Sequence, residues 1–380
     1  MAKANLPALE KREHRDENST FISFHLCENK LTVPKRYQDL KQIGIGAQGI
    51  VFSAYDTIKK SHVAIKKLKH PFKNIASAKR TYRELKLMRL ANHENVISLL
   101  NVFTPNKTLK EFNEIYLVME LMDSTLEKII RIKLARVDQE RISYMVYQIL
   151  CGVKHLHSAG IIHRDLKPSN IGVKQDFTLK ILDFGFARKT DIYMTQSVVT
   201  RHYRAPEVIL GMSYNEKVDI WSIGCIFGEM IRNEVLFPGK NLVDQWNKIV
   251  DRLGPPPLSF LHKDFNIDQR DNTRNDNEFT KEMLEKLFPD ILFPEKSKMY
   301  SQINSVEARD LLSRMLKYNS DERISIDEAL CHPYINVWCK ENKVNAISTH
   351  SYDHSIEEKE YKIEDWITLI YKEVVDFLPQ

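Results

Sequence analysis

Apolar positions alternate with a period of two through the early part of the chain and recur with helical spacing through most of the remainder. Phe21-Ile-Ser-Phe-His25 and Leu31-Thr-Val33 flank polar Glu28-Asn-Lys30, a pattern that predicts a hairpin. Three further strands are predicted at Tyr37–Ile43, Ile50–Tyr55 and His62–Lys66, the first two joined by Gly44-Ile-Gly-Ala-Gln-Gly49. Alternation in His62-Val-Ala-Ile-Lys66 puts Val63 and Ile65 on one face and Ala64 and Lys66 on the other. Ser77–Leu90 is patterned as a helix and Ile115–Met119 as a strand. From Gln139 to Gly160, Ile142, Met145, Val146, Ile149, Leu150, Val153 and Leu156 trace one helical face, and Gly160 is well placed to end it. Further helices are expected from Asp219, over Ser305–Lys317 and Ser325–Leu330, and in an amphipathic tail at Ile363–Tyr371. Residues 1–20 are polar and expected to be disordered. Residues 252–290, rich in Pro, Asp and Asn, are expected to be an insertion.

Composition narrows the function classes. At 380 residues with 43% hydrophobic content, the chain has room for two or three domain-sized units with real cores. The net charge of +5 comes from 56 basic and 51 acidic residues scattered along the chain. The densest basic run, Lys66–Lys73, is broken by Leu68, His70, Pro71 and Phe72, so no nucleic-acid partner is expected. The five cysteines (Cys27, Cys151, Cys225, Cys331, Cys339) show no C-x-x-C spacing and read as reduced thiols of an intracellular protein. The first twenty residues lack the apolar core of a secretory signal, and no apolar run reaches the roughly 20 residues of a membrane span. A cytoplasmic and nuclear protein with no membrane partner is expected.

Chemistry concentrates in Ile162-His-Arg-Asp-Leu-Lys-Pro-Ser-Asn170, a predicted loop after the long helix. Asp165, Lys167 and Asn170 lie at spacings of two and three, which suits joint presentation of a base, a cation and a metal ligand. Asp183-Phe-Gly185 follows eighteen residues after Asp165, behind the apolar strand Leu179–Leu182. The glycines Gly44, Gly46 and Gly49 can bring backbone N–H groups close to phosphates. Dinucleotide-binding folds carry the same glycine spacing, but here a strand rather than a helix follows the last glycine.

An H-R-D-L-x-x-x-N loop followed by D-F-G resembles the catalytic core of eukaryotic protein kinases. The resemblance covers roughly residues 21 to 376. It narrows to the mitogen-activated protein kinases, closest to the stress-activated c-Jun N-terminal kinase branch, through Gly46-Ala-Gln-Gly-Ile-Val51, His155–Asn170, Val198-Val-Thr-Arg201, Ile209-Leu-Gly-Met212 and His332–Trp338. It implies an α+β bilobal fold: a small β-rich N-lobe over 21–119, a larger mainly helical C-lobe over 120–340 carrying the insertion, and a C-terminal extension over 341–380 packing back on the domain. The implied activity is transfer of the ATP γ-phosphoryl to Ser or Thr, with Asp165 accepting the hydroxyl proton and Lys167 neutralising the transferred group. Thr200 would orient both, and Asn170 and Asp183 would hold Mg2+. The ATP site would comprise Ile43, Gly44, Gly46, Ala47, Gly49, Val51, Ala64, Lys66, Glu84, Met119 as gatekeeper, and backbone groups of Glu120 and Met122. Glu207 is expected to pair with Arg323, and Asp219 to brace the catalytic loop.

Three positions depart from the family. Its Thr-x-Tyr activation lip is here Thr195-Gln196-Ser197, in a segment shorter by about two residues. Phe186 replaces the leucine after D-F-G, and His202 replaces an aromatic residue beside the substrate groove. Arg83, Arg164 and Arg188 match the arginines that gather around the family's phosphothreonine, and Arg201 and Arg204 those that take its phosphotyrosine. Thr195 and Ser197 are therefore the expected activation phosphosites. Asp353, Glu357, Glu358 and Glu360 align with the acidic patch that holds basic docking peptides. The implied partners are substrates with Ser/Thr-Pro sites, an upstream dual-specificity kinase, docking-motif proteins and phosphatases, with the kinase a monomer. The altered lip keeps open an alternative, a kinase-fold scaffold that binds cascade partners without depending on catalysis.

Overall fold

The computed structural model describes residues 20–26, 29–46, 48–132, 138–187, 201–257, 260, 276–293, 297, 299–339, 348 and 352–378. The chain divides into two compact units. One comprises Met1–Leu85, Ser98–Leu121 and Lys359–Gln380; the other comprises Lys86–Ile97 and Met122–Glu358.

The first unit is built on antiparallel strands. β1 (Phe21–Leu26) and β2 (Asn29–Pro34) form the expected hairpin, paired from Phe21↔Pro34 to Leu26↔Asn29. β3 (Tyr37–Gly46), β4 (Gly49–Asp56), β5 (Ser61–Leu68), β6 (Leu99–Phe103) and β7 (Tyr116–Glu120) form a sheet in the order β3-β4-β5-β7-β6. Leu31, Val33, Phe52, Val63, Ile65 and Val118 are all at most 1% exposed in one core, so the face anticipated for Val63 and Ile65 is the buried one. Gly49 opens β4 where only glycine fits, because a Cβ there would lie 2.2 Å from the Lys67 carbonyl oxygen. Helix α1 (Ile75–Leu90) starts two residues before the predicted boundary, and its start is held by the Asn74 carboxamide oxygen accepting from the Ser77 N–H. The C-terminal helix Ile363–Val375 lies in this unit, with Trp366 fully buried against Tyr82 of α1 at a ring separation of 5.5 Å.

The second unit is mainly helical. Its small sheet joins β8 (Ser124–Thr125), β9 (Ile171–Val173) and β10 (Leu179–Ile181). After the short α2 (Leu126–Arg131) comes α3 (Gln139–Ser158), capped by the Asp138 carboxylate accepting from Arg141 N–H. Gly160 beyond it takes φ +74°, the left-handed conformation that glycine adopts without strain. After the four-residue α4 (Pro206–Ile209), the helix α5 (Lys217–Arg232) is buried on every side, Val218 through Ile231 without interruption. α6 (Leu242–Leu253) ends at Gly254, φ +86°. The stretch 252–290 is not wholly irregular: it contains α7 (Asp276–Leu287), anchored by Leu284 and, just beyond, Phe288, at 2% and 0% exposure. α8 (Ser305–Met315) and α9 (Ile326–Cys331) follow, the latter begun by a Ser325–Glu328 capping box.

Candidate active site

In the first unit, strand register lines up the candidate nucleotide residues. Val51 pairs with Lys66 across β4 and β5, and Ala64 with Met119 across β5 and β7. Lys66 Nζ reaches Glu84 Oε1 on α1 at 2.5 Å, with the two side chains only 12% and 4% exposed. This ion pair, nearly buried, fixes the position of the ammonium at the end of β5. The same ammonium donates to Gln48 Oε1 at 3.0 Å, a partner that nothing in the pattern of the glycine stretch announces. Gly44 and Gly46 have room for a Cβ, so packing within the unit does not demand glycine at either; Ile43 is 44% exposed beside them. Arg83 is buried next to Glu84.

In the second unit the loop after α3 is held from below by Asp219 on α5. Its two carboxylate oxygens accept the backbone N–H groups of His163 and Arg164 at 2.9 Å each, and His157 Nε2 lies 2.9 Å from Oδ2. Burial pushes the Asp219 carboxyl up, but the His157 bond and charge and the Arg164 N–H outweigh it and hold the group below the usual carboxylate range. Arg164 takes φ +65°, a strained conformation that this clamp maintains. The Asp165 N–H donates to His163 Nδ1 at 3.3 Å, so Nε2 of that ring carries the hydrogen and donates to the Leu182 carbonyl at 3.1 Å.

Two side chains converge on Asp165. Lys167 Nζ donates to Asp165 Oδ2 at 2.8 Å, and Asn170 Nδ2 donates to the same oxygen at 3.0 Å and to the Asp165 carbonyl at 2.9 Å. Committing the Asn170 nitrogen this way turns its carboxamide oxygen elsewhere. The Leu182 N–H donates to the Asn170 carbonyl at 2.8 Å, which ties the residue before Asp183 to this loop. Asp183 itself takes φ +62°, and its Oδ1 accepts the Gly185 N–H at 3.0 Å; Phe184 is fully buried with its ring 5.9 Å from that of His163. The Asn170 carboxamide oxygen and the Asp183 carboxylate are hard oxygen donors of the kind Mg2+ takes alongside phosphate oxygens, so the residues fit that ion. Among the described residues, Glu307, Asp310 and His332 also have ligand atoms within 4.8 Å of one another. There His332 Nδ1 accepts from Tyr334 N–H, Nε2 donates to Asp310, and Arg314 binds the same carboxylate oxygen, so the group is a hydrogen-bonded cluster rather than a metal cradle.

After the Thr195–Ser197 lip, Arg201 donates to the Lys240 carbonyl and His202 Nε2 lies 3.2 Å from the Gly239 carbonyl. Burial holds the His202 ring below its ordinary basicity, against the Gly239 bond and with the Arg201 charge adding to it. Arg204 lines a small pocket with Arg164, Ala205, Val208 and Tyr214; burial weakens its hold on its proton, the Asp165 charge restores some of it, and Arg201 opposes. The Tyr203 hydroxyl donates to buried Glu229 at 2.6 Å. Glu207 and Arg323 form the expected buried pair through two bonds of 2.7 and 2.9 Å. Ala47, Arg188, Thr195, Gln196, Ser197 and Thr200 lie outside the described residues. Met122, half-buried, lies in the second unit, where its side chain packs against Gly172: a Cβ there would sit 2.6 Å from Met122 Cγ. Of the acidic docking candidates, Asp353, Glu358 and Glu360 are exposed, while Glu357 accepts the Tyr352 hydroxyl at 2.7 Å.

The family description "Protein kinase domain" matches residues 37–335. Among curated proteins, "Stress-activated protein kinase JNK" of Drosophila melanogaster is 55% identical over 352 residues, spanning 92% of this chain and 94% of that relative.

Proposed function

The chain belongs to the protein kinase family, in the c-Jun N-terminal branch of the mitogen-activated serine/threonine kinases, and from that membership we propose that it transfers the γ-phosphoryl of ATP to Ser or Thr followed by Pro in protein substrates. The observation that carries this reading is the Asp165 carboxylate, oriented by Lys167 and Asn170 on a loop clamped to α5. In the proposed chemistry Asp165 accepts the proton of the acceptor hydroxyl and Lys167 offsets charge on the group in transit. Lys66, fixed by Glu84, binds the nucleotide phosphates. Asn170 and Asp183 hold Mg2+, which when bound neutralises phosphate charge. Charge stabilisation by such fixed groups is commonly the largest catalytic contribution.

Activation is proposed to run through phosphorylation of Thr195 and Ser197 by an upstream dual-specificity kinase. Arg83, Arg164, Arg188, Arg201 and Arg204 would receive the added charge, and the acidic patch from Asp353 to Glu360 would dock basic peptides of substrates, activators and phosphatases. The proposed setting is the cytoplasm and nucleus. The altered Thr-x-Ser lip supports the scaffold reading as a second possibility, because an upstream kinase blind to that lip would leave a binder in cells.

A radiolabelled-phosphate assay on Ser-Pro and Thr-Pro peptides, wild type against Asp165→Asn, before and after an activating kinase, separates the two. Label that needs Asp165 and rises on activation supports the enzyme. No Asp165-dependent label, with docking-peptide binding intact, supports the scaffold. Full activation of Thr195→Ala would refute the lip assignment.

A further inference from the structure

Gln48 stands at the turn between β3 and β4, its side chain engaged on β5 and its backbone on the residue just past that strand's end. Its carbonyl oxygen accepts the Lys69 N–H at 2.9 Å, and its side-chain oxygen accepts from Lys66 Nζ at 3.0 Å. The neighbouring Gly49 lies so close to Lys67 that a Cβ would reach 2.2 Å from the carbonyl oxygen, so the turn is pressed onto the end of the strand. Lys66 Nζ thus donates within the unit both to the Glu84 carboxylate and to a neutral amide oxygen.

We infer that Gln48 gates the nucleotide: its amide oxygen occupies on Lys66 the place of a phosphate oxygen, and the phosphates of an incoming nucleoside di- or triphosphate must displace it. The inference rests on the kinase reading and adds to it a residue of the flap that opposes binding. A phosphate oxygen is a charged acceptor and the stronger partner for an ammonium, so displacement proceeds. The lost amide bond is set against binding, while the freed, half-exposed carboxamide regains water. A charged–neutral hydrogen bond so compensated corresponds to an affinity reduction of about three- to tenfold. Glu84 is not displaced, because it holds the lysine from α1 by charge as well as by its bond.

The test is calorimetric binding of ADP with magnesium, and of adenosine, to wild type, Gln48→Ala and Gln48→Glu, each checked for folding by its thermal transition. Gln48→Ala is expected to bind ADP about three- to tenfold more tightly and adenosine unchanged. Gln48→Glu, whose carboxylate grips Lys66 and repels phosphate, is expected to bind ADP at least about tenfold more weakly with adenosine again unchanged. ADP affinity unchanged or weakened in Gln48→Ala would overturn the gate, showing that Gln48 is neutral or helps to hold the phosphates. Equal tightening of adenosine would overturn it too, since adenosine has no phosphate to compete. A folded wild type that binds neither ligand would overturn the kinase reading and the gate with it.

Discussion

Replacing Asp219 by Asn tests whether the clamp under the catalytic loop is what makes the loop competent. The carboxylate offers two oxygens to two backbone N–H groups, His163 and Arg164, and is fully buried. A carboxamide has one acceptor oxygen, so one N–H would face an NH2 group instead. The loss comprises one bond to a charged acceptor and an orphaned buried donor, about 3 kcal/mol together. For a unit the size of Lys86–Ile97 with Met122–Glu358, this lowers the unfolding midpoint by about 6–12 °C. Function should fall further than stability alone requires. Arg164 sits at φ +65° with its N–H on Asp219 Oδ1, and Asp165 is the next residue. Relaxing a strain of order 1–3 kcal/mol there would swing the Asp165 carboxylate, cutting kcat about tenfold or more at 20 °C, where the variant remains folded. The assay pairs a thermal scan with steady-state kinetics per folded enzyme. A midpoint within about 2 °C of wild type would refute the energetic reasoning, and an unchanged kcat in a destabilised variant would refute the link to Arg164. The acid limb supplies an internal check. The lowered Asp219 value means its stabilisation is present above the unfolded carboxylate range near pH 4 and is lost as pH falls through the folded value, and the variant should lack that loss.

Arg323→Ala should be among the most damaging substitutions away from the catalytic loop. Its guanidinium, 1% exposed, spends its donors on Glu207 and on the Lys217, Lys317 and Tyr318 carbonyls, and removing one partner of a buried pair costs about 3–5 kcal/mol. Chemical denaturation measures it, and a loss below about 1 kcal/mol would contradict the geometry. Glu229→Gln should change how stability varies with pH rather than its value in acid. Burial raises the Glu229 carboxyl, with the Tyr203 bond opposing and the Glu127 charge adding, so the folded state holds the proton more tightly than the unfolded one. Wild-type stability is then full below about pH 4.3 and is lost as pH rises through the raised folded value; the variant, whose amide oxygen still accepts from Tyr203, should show a flatter profile in urea titrations from pH 4 to 8.

Periodicity was sufficient for the strands and helices it predicted, though not for β6, α2 or α6, because each of those predicted rests on a repeated choice of which face to bury. Val63 and Ile65 lie in the core and α3 follows its apolar face from Gln139 to Ser158. It was passed over in 252–290, where Phe279, Met283, Leu284, Leu287 and Phe288 recur at helical spacing through and just beyond α7, but the Pro, Asp and Asn residues of the stretch directed the reading to an insertion. The pairs Lys66–Glu84 and Glu207–Arg323 were anticipated only through the family resemblance, since no local rule joins residues that tertiary folding alone brings together. Gln48 and Gly172 mark the boundary of what a pattern can hold. A glutamine in a glycine-rich turn and a glycine in a three-residue strand look permissive, yet one meets Lys66 at 3.0 Å and the other leaves the space that Met122 fills. Each is decided by a single neighbour from a distant part of the chain, so its identity is fixed by an approach of two segments and leaves no trace in the residues beside it. The Asp219 clamp stands with the two ion pairs instead: it was anticipated through the family resemblance, because the residue that shapes the Asp165 loop lies more than fifty positions away on a helix whose own pattern reports only that it is buried.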